Sequence, residues 1–265
     1  MKKFVYGLIT LISISYHANT VASECMEEDY KLVWSDEFDY TGLPDKVKWN
    51  YEEGYLRNKE LQYYQVESLE HSYVKDGFLT LEANYTPSLT HPYKSASLKT
   101  ENRATWRYGK IEVRASLPTA PGTWPAIWMM GENIRQVYWP RTGEIDIMEH
   151  VGKHPNRVHA NVIYYDYEEE KKKAKNNSHI TIDSVQSFNT YAIKWTEDEI
   201  IFLLNDVPYH RFDIDEAGGE KNPFRKPFYL ILNLALGSWG GELEDDFSSA
   251  KFIIDYVRVY QQPCF

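Results

Sequence analysis

The sequence predicts an all-β protein, a two-sheet antiparallel sandwich, and three observations carry that reading. Lys110–Leu117 alternates with a period of two, placing Ile111, Val113, Ala115 and Leu117 on one face and Lys110, Glu112, Arg114 and Ser116 on the other. Phe78–Tyr85 repeats the pattern, with Leu79, Leu81 and Ala83 opposite Thr80, Glu82 and Asn84. No segment sustains the 3.6-residue apolar period of an amphipathic helix through three turns. At 265 residues the chain suits one large β domain better than two small ones, and 43% apolar content is ample for a core.

Taken in order, strands are expected at Lys31–Phe38, Phe78–Tyr85, Lys110–Leu117, Thr123–Met130, Gly143–His150 and Arg157–Tyr165. Thr190–Thr196, Glu199–Asn205, Phe228–Gly237 and Phe252–Tyr260 follow. Asn205-Asp206 reads as a hairpin turn between Ile200–Leu204 and Val207–Phe212. Phe228–Gly237 is apolar on both faces, which suits a central, doubly covered strand. Glu168–Lys175 is charged all round and reads as a solvated loop or one short exposed helix.

Met1–Ser23 has the form of a secretory signal. Lys2 and Lys3 precede an apolar stretch from Phe4 to Tyr16, and Val21-Ala22-Ser23 offers small residues for cleavage. That stretch is too short to span a bilayer and no later one qualifies, so residues 24–265 are expected as a single exported domain with no transmembrane segment, periplasmic or extracellular. Cys25 and Cys264, near the two mature ends, are expected to pair in an oxidising compartment. Closing nearly the whole chain adds up to about 5 kcal/mol in the chain-entropy account. A competing reading lipidates Cys25, but that processing favours a small residue just before the cysteine and Glu24 stands there. The net charge of −10 argues against nucleic acid as a partner. Twenty-one Tyr and eight Trp suit the apolar faces of sugar rings, although core packing is the commoner use of any one aromatic.

The chemistry concentrates in Gly143–His150. Glu144 and Asp146 share a face by the period of two, whereas Glu149, five positions on, falls on the core side with Ile145 and Ile147. An unpaired carboxylate there is costly. One extra residue bulged near Ile147 or Met148 restores the parity and turns all three acids to one side. Glu144 and Glu149 then stand ~13 Å apart along the backbone, a gap that two side chains leaning inward largely close. A carboxyl pair about 5–5.5 Å apart is the geometry of a retaining glycosidase. Glu144 is read as the nucleophile, Asp146 as its hydrogen-bonded tuner, and Glu149 as the acid and base with a pKa raised by its neighbours. Acids that simply face solvent would account for Glu144 and Asp146, but not for Glu149. His150, His154 and His159 lack a zinc spacing, since Gly152 and Pro155 break any helix among them.

Gly143–Glu149 with Trp124-Pro125-Ala126-Ile127-Trp128 upstream resembles the glycoside hydrolases of family 16, in their laminarinase-like, endo-β-glucanase branch. Val33–Phe38, Asn58–Tyr64, Tyr108–Arg114 and Ile254–Tyr260 extend the resemblance over nearly all of the mature chain. It implies a concanavalin-like jelly roll whose acid strand floors a concave cleft. It further implies endo-cleavage of a β-linked polysaccharide with retention and no cofactor for catalysis; a monomer is expected. Neighbouring first and last strands in that fold favour the Cys25–Cys264 pairing. The resemblance makes Asn58, Trp124, Trp128, Trp139 and Trp239 candidate substrate contacts, with Trp139 and Trp239 favoured as sugar platforms because each sits beside Pro or Gly in a loop. His159 and Asn161 share a strand face with Ile163 and join them if that face is the cleft's. Many family members hold one structural calcium; Glu37, the Gly77 carbonyl and Asp255 match its positions.

Two departures bear on substrate. The family's glucanases carry Arg in a Ser-x-Arg motif where this chain has Ser95-Ala96-Ser97, with Arg103 or Arg107 as candidate replacements, and they tend to place His or Tyr where Ile163 stands. The main expectation is a β-1,3- or mixed β-1,3(4)-glucan. A site with fewer polar groups and more apolar surface suits an N-acetyl group, so the alternative is endo-β-1,4-galactosidase action on poly-N-acetyllactosamine in mucin or keratan glycans. A third reading is a non-catalytic carbohydrate-binding jelly roll, which has no need of three acids on one strand.

Overall fold

The computed structural model describes residues 30–87, 90–174 and 178–263, so the signal segment Met1–Ser23, Cys25 and Cys264 lie outside the described residues. The strands run β1 (Lys31–Asp36), β2 (Asn50–Tyr51), β3 (Tyr63–Tyr64), β4 (Ser72–Lys75), β5 (Phe78–Tyr85) and β6 (Tyr93–Ser95). They continue with β7 (Ser97–Lys99), β8 (Gly109–Ser116), β9 (Thr123–Gly131), β10 (Glu144–His150), β11 (Arg157–Asp166) and β12 (Lys171–Ala174). The last six are β13 (Ser178–Thr181), β14 (Asn189–Trp195), β15 (Glu199–Leu204), β16 (Val207–Asp213), β17 (Phe228–Leu236) and β18 (Ser249–Gln261).

They form two stacked sheets. One follows the order β16-β15-β14-β8-β18-β5-β6-β3, with β1 on β18 and β4 on β5. The other follows β12-β11-β10-β9-β17-β7-β2, with β13 on β11. Every ladder is antiparallel except the short β3–β6 pair. The two sheets with their crossovers make the expected jelly-roll sandwich. β1 lies antiparallel against β18, with Lys31 opposite Gln261, so the first and last described strands are neighbours as the resemblance implies.

Alternation decides which residues meet between the sheets. Leu79 and Leu81 of β5, Ile111 and Val113 of β8, and Tyr191 and Ile193 of β14 face Met129, Ile145, Val162 and Leu232 from the other sheet. Asn205 and Asp206 both have positive φ, +50° and +63°, the two-residue turn that matches the twist of a hairpin. β17 is buried along its whole length, for a reason the apolar run conceals. Leu230, Leu232, Leu234 and Leu236 enter the central core, while Tyr229 and Ile231 join Ala126, Trp128 and Met130 in a second cluster on the outer face. That cluster is the base on which the functional site rests.

One segment departs from expectation. Within Glu168–Lys175, Lys171–Ala174 is neither loop nor helix but an edge strand on β11, with Lys172 opposite Tyr165 and Lys173 opposite Tyr164. The ladder satisfies its backbone, Glu169 pairs with Lys171 and Lys173, and a charged edge resists pairing with other chains. Replacing Leu232 by Ala removes a fully buried side chain from between the sheets and is expected to cost about 2–5 kcal/mol in urea unfolding.

Candidate active site

The acid strand begins where the backbone is tightly constrained. Gly143 has φ +79°, and a Cβ there would sit 2.7 Å from Pro223 and 2.9 Å from Phe228. Its carbonyl accepts from the Gly131 amide at 3.3 Å, tying the start of β10 to the end of β9.

Along β10 the register shifts by one residue. Asp146 lies opposite Asn161 and Glu149 opposite His159, so three steps on β10 match two on β11. Against β9 the shift falls between Asp146 and Met148, which makes Ile147 the extra residue. Ile147 and Met148 both enter the core, and Glu144, Asp146 and Glu149 all line a cleft on the opposite face. The bulge read from parity is therefore present where the sequence requires it.

The cleft has a volume of about 510 Å³, continued by a smaller hollow at Glu149, His159, Asn161 and Trp239. An indole N–H holds each outer acid: Trp139 Nε1 donates to Glu144 Oε2 at 2.7 Å, and Trp124 Nε1 to Glu149 Oε1 at 3.1 Å. Three carboxyls in one desolvated row do not all ionise together. Burial, then the charges of Glu144 and Glu149, push the Asp146 carboxyl well above the usual carboxylate range. It therefore keeps a proton and donates to Glu144. Burial also raises Glu144, opposed by Trp139, by Asp146 and by the positive charges of Arg57 and Lys172. Burial and the charge of Glu144 push Glu149 up to about 8.

All seven expected substrate contacts lie in or beside this cleft, in different settings. Asn58 donates to Glu60 at 3.1 Å. Trp128 is a wall rather than an open platform: its N–H is bound to Asn233 at 2.7 Å and its face lies 4.9 Å beneath the Arg57 guanidinium. Trp139 and Trp239 remain 43% and 36% exposed. Trp239 meets Trp124 and His159 edge-on at 5.4 and 5.1 Å. Burial and the nearby His179 lower His159 to about 4, leaving a neutral ring at neutral pH. Asn161 carries a buried Oδ1 without a hydrogen-bond partner, beside Asp146. Ile163 lines the cleft opposite Glu144, so the apolar substitution stands on the cleft face.

Sequence reasoning missed Arg57, Lys172 and Asn233. Arg57 lies in a loop without periodicity, and Lys172 sits in a run discounted as solvated. Asn233 had a signal, as the one amide in the apolar run of β17; it accepts from Trp128 and donates to Tyr64. Neither Arg103 nor Arg107 enters the cleft: Arg103 donates to Asn50, and Arg107 lies over Tyr108.

The registers gather Glu37, Gly77 and Asp255 around one stretch of β18, since Asp36 lies opposite Val257 and Leu79 opposite Ile254. Both carboxylates are already engaged, Glu37 in a two-pronged pair with Arg258 and Asp255 with Arg114. Among the described residues no three His, Cys, Asp or Glu side chains form a metal-binding group. In this arrangement the two carboxylates face arginines.

Three interacting carboxyls on one strand of a jelly roll, walled by indoles, define a carbohydrate-cleaving enzyme. The family model for glycosyl hydrolases family 16 matches residues 58–258. A beta-glucanase of Rhodothermus marinus is 40% identical over 98% of this chain and 96% of its own length. A keratan-sulfate endo-1,4-beta-galactosidase of Sphingobacterium multivorum is 34% identical over 94% of this chain and 58% of its own length. Among solved structures, the laminarinase from Rhodothermus marinus is 41% identical, covers 88% of this chain and 98% of that one, and superposes with a TM-score of 0.79. The chain belongs to glycosyl hydrolases family 16.

The raised Glu149 makes stability depend on pH. A carboxyl whose folded pKa lies above its unfolded value stabilises most below about pH 4.5, and that contribution is lost as pH rises toward 8. Glu149→Gln keeps an acceptor for Trp124 without the charge. It is expected to gain on the order of 1–2 kcal/mol over wild type at pH 8, with the difference vanishing toward pH 4 in paired thermal melts.

Proposed function

We propose that this chain is an exported, monomeric, endo-acting β-glucanase that cleaves internal bonds of β-1,3- or mixed β-1,3(4)-glucan with retention. The bulged acid strand carries the reading, because it presents two carboxyls of unequal proton affinity to one cleft, with a third between them. Glu144, kept anionic by the Asp146 proton and the Trp139 N–H, attacks the anomeric carbon while Glu149 gives its proton to the departing glycosidic oxygen. The glycosyl ester removes the charge on Glu144. Since that charge helps to hold Glu149 high, Glu149 falls in pKa at this point and becomes a competent base. It takes a proton from water, the water oxygen bonds to the anomeric carbon, and Glu144 leaves as carboxylate.

The two ends of the cleft follow from this assignment. Trp139, Lys172 and Arg57 surround the sugar held at Glu144, and Trp124, His159 and Trp239 surround the leaving chain at Glu149. Identity to the beta-glucanase over nearly the whole of both chains supports a glucan substrate. One observation favours the second reading, an endo-β-1,4-galactosidase: Ile163 and Met130 flank Glu144 with apolar surface that suits an N-acetyl group. Among the described residues no helix is long and apolar enough to cross a membrane.

Purified protein should release short glucans from laminarin and mixed-linkage glucan. Galactose-ended products from desialylated mucin or keratan glycans, without glucan cleavage, would establish the second reading instead. Glu144→Gln is expected to lose at least about 10³-fold in kcat, and Glu149→Gln about 10²–10⁴-fold. A Glu144→Gln variant that still hydrolyses, or binding of all three glycans without cleavage by wild type, would point to a binding module. The pH profile of kcat/KM should decline as pH rises through about 8, where free Glu149 loses its proton, and as pH falls far enough to protonate Glu144.

A further inference from the structure

Arg57 stands in the loop between β2 and β3 and enters the cleft from outside the acid strand. Its guanidinium is gripped in two-pronged fashion by Glu52, with Nη1 on Oε1 at 3.2 Å and Nη2 on Oε2. Ser97 Oγ donates to the same carboxylate at 2.7 Å. The guanidinium plane lies over Trp128 at 4.9 Å and near Tyr64 at 5.9 Å. A guanidinium carries five N–H groups. Two of them meet Glu52, and among the described residues the other three have no hydrogen-bond partner. The side chain is about a quarter exposed, and the cleft is what it faces.

Such an arrangement is expensive unless something accepts those hydrogen bonds. Glu52 and Trp128 hold the planar fork in one orientation, so little further ordering is needed when a ligand arrives. Its charge bears on Glu144, which sets it on the side of the sugar that becomes covalently held. Ser97 grips the very carboxylate that orients Arg57.

We propose that Arg57 is a substrate-positioning residue: it donates hydrogen bonds to ring hydroxyls of the sugar chain on the Glu144 side of the cleft. This inference rests on the hydrolase reading of the cleft but not on which of the two substrate classes is cut.

The test uses the full chain and whichever glycan wild type cleaves. Inert wild type would overturn the hydrolase reading, while the following outcomes concern Arg57 alone. Glu52→Gln with Arg57→Gln removes both charges together, leaving neither buried unpaired. KM is expected to rise about 10–100-fold with kcat changed less than about threefold, as for the loss of charge-assisted hydrogen bonds. A KM within about twofold of wild type in the double variant overturns the proposal. Should the double variant fail to fold, Arg57→Lys keeps the charge without the fork, and an unchanged KM there overturns the proposal equally.

Discussion

A single register shift in β10 is the constraint on which the site depends. Strand geometry sends successive side chains to opposite faces, so without the extra residue at Ile147 the strand would present Glu149 to the core. With it, Ile147 and Met148 both pack between the sheets and three acids stand in one row on the outside. The packing and the chemistry are therefore one requirement. The buried Ile147 and Met148 oppose slippage of the strand, and the absence of slippage keeps Glu144 and Glu149 at their separation.

Crowding then differentiates the acids. Identical functional groups acquire different proton affinities because burial makes a second or third negative charge costly, and the surroundings decide which group keeps its proton. Asp146, between the others and wholly enclosed, is kept protonated by burial and by the charges of Glu144 and Glu149. Glu144 receives an indole N–H and two nearby cations and is the one best kept ionised. Glu149 has one indole N–H and no cation, which leaves it suited to giving up and regaining a proton.

The second cluster of apolar side chains gives this machinery a rigid base. Trp128, Met130, Tyr229 and Ile231 pack on the outer face of β9 and β17, where a two-layer sandwich would ordinarily meet water. Asn233 joins that base to Tyr64 through Trp128 and so connects the cleft floor to the loop that carries Arg57 and Asn58. The exposed tryptophans, 139 and 239, stand outside that cluster.

Much of this was legible in the chain. The period of two located the long strands, Asn205-Asp206 marked its hairpin, and the parity conflict in Glu144-Ile145-Asp146-Ile147-Met148-Glu149 exposed the bulge, because these are local regularities set by backbone geometry. The short strands were not legible, since two to four residues carry no period, and Lys171–Ala174 adopts its extended form only because β11 offers a ladder. Nor could the sequence assign Arg57 or Lys172 to the cleft, decide whether Trp128 is wall or platform, or show that Glu37 and Asp255 engage arginines. Local pattern determines which way a side chain points along its own strand. Which residues from distant segments then meet is decided only when the sheets stack and the loops close over them.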